Sequence, residues 1–242
     1  MKRILFLPVL FIVLCASCVS SAQRAEEYYA LGVSYFELQK YAEAENYFQK
    51  AKFHKATKNA AEYNLGRIAY ETGRYSKADI YFRRIIDRDE ENITALTAAA
   101  YTSIKLEELE RAEIYYRRVL ELVPESHDEG YNYALVLAAL GKPEEAESII
   151  LRYNTAENSD AMLLLARIQR QQKKPEAADA YTASLLRNDD PLIRMEYAAY
   201  LAEIGLAAKA LDEYRRALAH TMLSEEKQEE IAKIIETLEA EI

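Results

Sequence analysis

Along most of the chain, apolar and small residues recur every three to four positions, the period of an amphipathic helix rather than the two-residue alternation of a strand. The stretch from Ala25 to Ala51, AEEYYALGVSYFELQKYAEAENYFQKA, sets the pattern. Its large and small positions fall in two helical runs separated by the polar pair Gln39-Lys40. That grouping predicts two helices joined by a tight turn.

The same grouping returns downstream. Ala44, Ala78, Ala112, Ala146, Ala178 and Ala210 are separated by 34, 34, 34, 32 and 32 residues. Twelve positions before each stands another small residue: Gly32, Gly66, Ala100, Ala134, Ala166 and Ala198. Two helices that cross closely tolerate no bulk at their contact, so each pair of small residues marks one helical hairpin. Turn residues fall between the pairs, at Gln39-Lys40, Gly73-Arg74, Glu107-Glu108, Gly141-Lys142, Lys173-Lys174 and Gly205. Pro143 and Pro175 each precede a second-helix alanine by three residues, where a proline opens a helix without removing a needed hydrogen bond.

Composition agrees. With 6 Gly, 5 Pro and no Trp among 242 residues, and half of the chain hydrophobic, the sequence favours helix and a buried core. No Pro/Ser-rich linker interrupts it, and a single domain is expected. The segments are 25–58, 59–92, 93–126, 127–158, 159–190 and 191–220, within an array spanning 23–220. After His220 the ladder stops. Ser224 followed by Glu225, Glu226 and Lys227 has the form of a helix N-cap with acids in the first turn, and Ile231, Ile234, Ile235 and Leu238 form one apolar stripe. Residues 221–242 are therefore expected to form a capping helix, with a dimerising helix as the alternative.

The residues resemble the tetratricopeptide repeat family. Tyr28, Leu31, Gly32, Tyr35, Ala44, Phe48 and Ala51 fall on that family's positions, followed by Leu65, Gly66, Ala78 and Phe82, then Leu96, Ala112, Tyr116, Val119 and Pro124. Repeats four to six are looser, with Gly130 and Arg194 where a large residue is usual. The resemblance implies an all-α protein, an α-solenoid of about six hairpins stacked in a right-handed superhelix with a C-terminal capping helix. It also implies a binding groove lined by the first helix of each hairpin. Mapped onto this chain, the groove residues are Tyr29, Tyr63, Asn64, Arg67, Tyr70, Tyr101, Tyr131, Asn132, Arg167 and Arg170. Tyrosine and arginine are enriched in interaction hot spots, whereas Tyr28, Tyr35, Tyr47, Tyr81 and Tyr116 read as packing within hairpins. The positions at which some relatives grip a C-terminal carboxylate hold Tyr, Val and Arg, with only Asn64 and Asn132 fitting in part, so such a clamp is not expected. Arg67, Arg167 and Arg170 remain candidates for holding an acidic group.

Met1 to Ala22 carries an export signal's marks: Lys2 and Arg3, then an apolar run from Ile4 to Leu14 interrupted by Pro8. At 11 residues the run is short of the roughly 20 that span a bilayer. Two ends fit. Ala16-Ser17-Cys18 resembles a bacterial lipobox in which Cys18 would be lipidated, with Cys15 three places earlier where Leu is usual; Ser20-Ser21-Ala22 fits ordinary cleavage. Both cysteines lie in this segment, so neither disulfides nor cysteine metal sites are expected in the array.

The formal charge is −9, or −11 without Lys2 and Arg3, and a surface of that sign disfavours nucleic acid. His54, His127 and His220 occupy different phases of different repeats, and no nucleophile motif or Gly-rich phosphate loop is present. The expected function is non-enzymatic, without cofactor or metal: an exported scaffold, lipid-anchored at the outer membrane or periplasmic, holding segments of cell-envelope proteins. The alternative is a transporter-accessory or small apolar ligand-binding protein.

Overall fold

The structure, a computed structural model, describes residues 6–153, 158–220 and 223–241, with side chains from Ser21 to Ala240. All regular elements among them are helical. They are α1 (Phe6–Glu37), α2 (Tyr41–Ala51), α3 (Lys58–Glu71), α4 (Tyr75–Ile86), α5 (Ile93–Lys105), α6 (Leu109–Leu122), α7 (His127–Ala139), α8 (Pro143–Tyr153), α9 (Ser159–Gln171), α10 (Ala177–Leu185), α11 (Pro191–Glu203), α12 (Ala207–Leu218) and α13 (Glu225–Glu241). The chain divides into two compact units, residues 1–122 and 123–242, where a single domain is expected from sequence. No Pro/Ser-rich stretch marks the division.

Six antiparallel hairpins pair α1 with α2, α3 with α4, α5 with α6, α7 with α8, α9 with α10 and α11 with α12. Each turn is built the same way. Gln39, Gly73, Glu107, Gly141, Lys173 and Gly205 all have positive φ, between 56° and 78°. At each, the next residue's N–H reaches back five residues, as Lys40 N–H does to Tyr35 C=O (2.9 Å) and Arg74 N–H to Ala69 C=O (2.7 Å). The left-handed residue itself donates three residues back, as Gly73 does to Tyr70 C=O (2.9 Å). This is the Schellman closure, which satisfies the otherwise orphaned carbonyls at a helix end.

Between the helices of a hairpin the small residues allow close approach. A Cβ on Gly32 would lie 2.7 Å from the Phe48 ring, and one on Gly66 would lie 2.6 Å from Phe82. Gly130, at a position where a large residue is usual in related repeats, is filled by Tyr153 at the far end of its own hairpin, and a Cβ there would overlap that side chain. Ala44, Ala78, Ala112, Ala146 and Ala210 are fully buried. In the fifth hairpin the buried alanine is Ala177, not Ala178. The reason is local. Ala177, Ala178 and Asp179 each donate three residues back, and this tighter 3₁₀ winding before α10 rotates the chain further per residue. Pro175 therefore sits in the turn ahead of α10, whereas Pro143 opens α8.

In unit 1, Ala44, Phe48, Ala51, Ala61, Leu65 and Ile68 form one core cluster, and Ala69, Ala78, Phe82 and Ala99 form the next. In unit 2, α13 lays Ile231, Ile234, Ile235 and Leu238 over Ala198, Leu201, Ala210 and Tyr214. Ser224 caps α13, its hydroxyl accepting from Lys227 N–H at 3.4 Å. Among the described residues no helix is long and apolar enough to cross a membrane. Residues 1–5 of the segment expected from sequence to be an export signal lie outside the described residues, as do the side chains of Cys15 and Cys18; the α1 backbone runs through both cysteines.

Candidate functional site

The first helices of unit 1 bring six sequence-predicted residues together: Tyr29, Tyr63, Asn64, Arg67, Tyr70 and Tyr101. Tyr63, Arg67 and Tyr70 follow the i, i+4, i+7 spacing that lines one side of α3. Tyr29 stands on α1 and Tyr101 on α5. Each ring also rests on an aromatic of a second helix: Tyr29 on Phe48 (5.6 Å between centroids), Tyr63 on Phe82 (5.7 Å), Tyr70 edge-on to Tyr75 (5.4 Å) and Tyr101 edge-on to Tyr116 (6.0 Å). Burial raises the Tyr63 and Tyr70 phenols above their ordinary value, and for Tyr70 the nearby Tyr75, Glu71 and Tyr101 add to the effect. Both are neutral hydroxyls near neutral pH.

Asn64 is buried, and its place in a groove needs correcting. Its amide donates to Tyr29 Oη (3.1 Å) and to Ala60 C=O (3.0 Å), tying α3 to α1. Its Oδ1 accepts from Arg67 Nη1 at 3.4 Å, and the Arg67 guanidinium lies 4.4 Å from the centre of the Phe36 ring. Arg67 is exposed and makes no ion pair with any described carboxylate. A cation held on an aromatic face by a buried amide keeps its direction without being neutralised.

Unit 2 treats its arginines differently. Arg167 forks onto Glu196, with Nε to Oε1 at 2.9 Å and Nη2 to Oε2 at 2.8 Å. Arg170 pairs with Glu203 through Nε at 3.0 Å and through a second, short bond. These bonds hold both guanidinium pKa values above the ordinary one. Arg167 and Arg170, candidates from sequence for holding an acidic group, thus each already have a carboxylate from α11. Tyr181 completes the network by donating to Glu196 Oε1 at 2.8 Å. Burial would raise the Glu196 carboxyl, but the bonds from Arg167 and Tyr181 outweigh it and hold it below its ordinary value. Sequence reading missed Glu196, Glu203 and Tyr181. For the two glutamates the signal is charge opposition 29 and 33 residues from the arginines, close to one repeat length.

Tyr131 is half-buried, its phenol raised by burial and by Asp160, and Asn132 donates to Asp128 C=O at 2.8 Å on its own helix. Two surface clefts occur in unit 2. One, of about 370 Å³, is lined by Tyr133, Leu137, Glu144, Glu145, Ser148 and Ile149; the other, of about 140 Å³, includes Leu185, Arg194, Tyr197 and Glu213. Arg194 bridges Asp189 and Glu213, which explains an arginine where a large apolar residue is usual.

Stacked helical hairpins with left-handed turns and small crossing residues define a helical-repeat protein. The tetratricopeptide repeat model matches residues 29–93, 63–127 and 131–185, more than half of the sequence, and the chain belongs to that family. Solved structures agree in fold. A tetratricopeptide repeat protein from Parabacteroides merdae is 18% identical, with 90% of this chain and 93% of that one covered at a TM-score of 0.71. YrrB, described as a repeat protein with an unusual peptide-binding site, is 18% identical over 71% of this chain and 90% of its own, at 0.62. PilF of Pseudomonas aeruginosa is 23% identical over 74% and 84%, at 0.59. No curated protein matches the sequence.

Proposed function

We propose that the chain is an exported, membrane-attached scaffold that holds a segment of a cell-envelope protein on the first-helix face of unit 1. The observation that carries this reading is Arg67, an exposed guanidinium without a carboxylate partner among the described residues, flanked along α3 by Tyr63 and Tyr70 and across to α5 by Tyr101. Aromatic side chains offer contact area at low entropic loss, and a fixed guanidinium supplies direction. Arg167 and Arg170 already have internal partners, so the reading narrows to unit 1. Repeat folds of this kind include a neighbour with a peptide-binding site, which is compatible with such a role.

Replacing Tyr63, Tyr70 and Tyr101 together by Ala should abolish capture of partners in a cross-linked pull-down. Because these rings also support their hairpins, Arg67→Glu serves as the partner test: capture should fall while the thermal melt stays in place. Unchanged capture in both variants moves the site off this face. Attachment to the outer membrane through a lipid on Cys18, with the repeats in the periplasm, is the localisation we propose. Cys18→Ala should release the protein from membranes, and continued membrane association without acyl labelling would sink that part.

A further inference from the structure

The most exposed large apolar side chain among those described is Phe53, 85% accessible, in the loop joining α2 to α3. Its surroundings are cationic. Lys50, Lys52, Lys55 and Lys58 flank it along the chain, none in an ion pair with a described carboxylate. Lys52 Nζ lies 5.5 Å from the Phe53 ring centre, and Lys50 Nζ lies 5.5 Å from that of Tyr28 on α1. The loop is closed from inside: buried Thr57 donates its hydroxyl to Ala51 C=O at 2.5 Å, and Thr57 N–H donates to His54 C=O at 3.2 Å. Ordered backbone thus holds Phe53 outward.

The corresponding loop of the next hairpin, Asp87 to Asn92, carries Asp87, Asp89, Glu90 and Glu91 against Arg88 and has no aromatic. The basic, aromatic character is specific to the first loop. Its position is specific as well. Gly32 faces Phe48, and the Lys50 ammonium reaches Tyr28, so the end of α2 lies beside residues 25–28 of α1. There α1 leaves the hairpin and continues as one helix back to Phe6, toward the apolar run and Cys18. Glu26 and Glu27 stand at this level too, but Arg24 and four lysines outnumber them.

We infer that the 50–58 loop is a membrane-contact element, with Phe53 inserting at the headgroup boundary and its lysines meeting anionic lipid. An exposed aromatic set among lysines is the composition that lies in a bilayer interface, and lysines near an anionic leaflet add to binding. The inference rests on membrane attachment through the amino-terminal segment. A lipid or apolar helix there would hold this end of unit 1 against the surface and fix which way the tyrosine face points.

The chain contains no tryptophan, so Phe53→Trp makes a sole fluorescent reporter, and Leu38→Trp, at the opposite end of the same hairpin and also exposed, makes its control. Each full-length variant is reconstituted with phosphatidylcholine vesicles, with or without phosphatidylglycerol. On the anionic vesicles the emission of Phe53→Trp should shift to the blue and be quenched by dibrominated lipid, while that of Leu38→Trp should not respond. In the Phe53→Trp background, each lysine changed to Gln should lower loop occupancy by about fivefold. Vesicle-bound Phe53→Trp protein whose emission is unmoved overturns the loop assignment and leaves attachment standing. Protein that fails to sediment with either vesicle overturns both.

Discussion

Three of the six left-handed turn positions are not glycine: Gln39 (φ 56°), Glu107 (φ 60°) and Lys173 (φ 58°). A side chain there costs about 1–2 kcal/mol of steric strain, while glycine loses roughly 0.5–1 kcal/mol more entropy on folding. Strain wins by a small margin. Gln39→Gly, Glu107→Gly and Lys173→Gly should each stabilise the fold by about 0.5–1 kcal/mol, read as a higher urea midpoint at unchanged slope. Crossing glycines should respond oppositely. Gly66→Ala pushes a methyl into the buried Phe82 ring and should destabilise by about 1–3 kcal/mol. A midpoint unchanged from wild type would mean the ring can move aside, against its complete burial.

At the scale of elements, the hairpins were legible because their requirements are local. A left-handed turn residue and a small crossing residue must recur in each, and Gly73, Gly141 and Gly205 display this openly. The slip from Ala178 to Ala177 was not legible, since it depends on whether a turn winds as 3₁₀ or α, and both fit the same residues. Nor could the candidate site be read fully. Arg67 and Arg167 occupy like positions in their helices, yet one meets an aromatic ring and the other a carboxylate, and that depends on the neighbouring hairpin. Helix α13 offers a direct test of capping. Ile231 is fully buried against the last hairpin, so Ile231→Ala should destabilise unit 2 by about 2–5 kcal/mol. Because the stripe is spent on its own chain, removing Ser224 to Ile242 should lower the melting temperature without changing the oligomeric state in solution. A fall from dimer to monomer would make α13 a dimerising helix.

Across the whole molecule, charge is divided unevenly. Residues 1–122 carry 18 Lys and Arg against 17 Asp and Glu, whereas residues 123–242 carry 13 against 23. Self-repulsion therefore burdens unit 2, and its stability near pH 7 should rise with moderate salt more than that of unit 1. Acid should not simply relieve this. For Glu147 and Glu196 burial raises the carboxyl pKa but is outweighed by bonds from Lys174 and Arg167, and for Asp189 the bond from Arg194 dominates. All three end below their ordinary values, so folding favours the ionised form even within this acidic unit. Such groups contribute stability that is fully present above the unfolded values of 4.5 for Glu and 3.8 for Asp and is lost as pH falls through the lower folded ones. In unit 1 Glu45, held by Lys77 and Arg74 against the effect of burial, is lowered in the same way. On the strength of Glu147, Glu196 and Asp189, unit 2 should lose amide hydrogen-exchange protection as the pH falls below about 4.5 in an acid titration, and at a higher pH than unit 1. Simultaneous loss in both units would mean that they unfold as one cooperative array, and the Arg167–Glu196 and Arg194–Asp189 pairs would then set the acid limit of the entire chain.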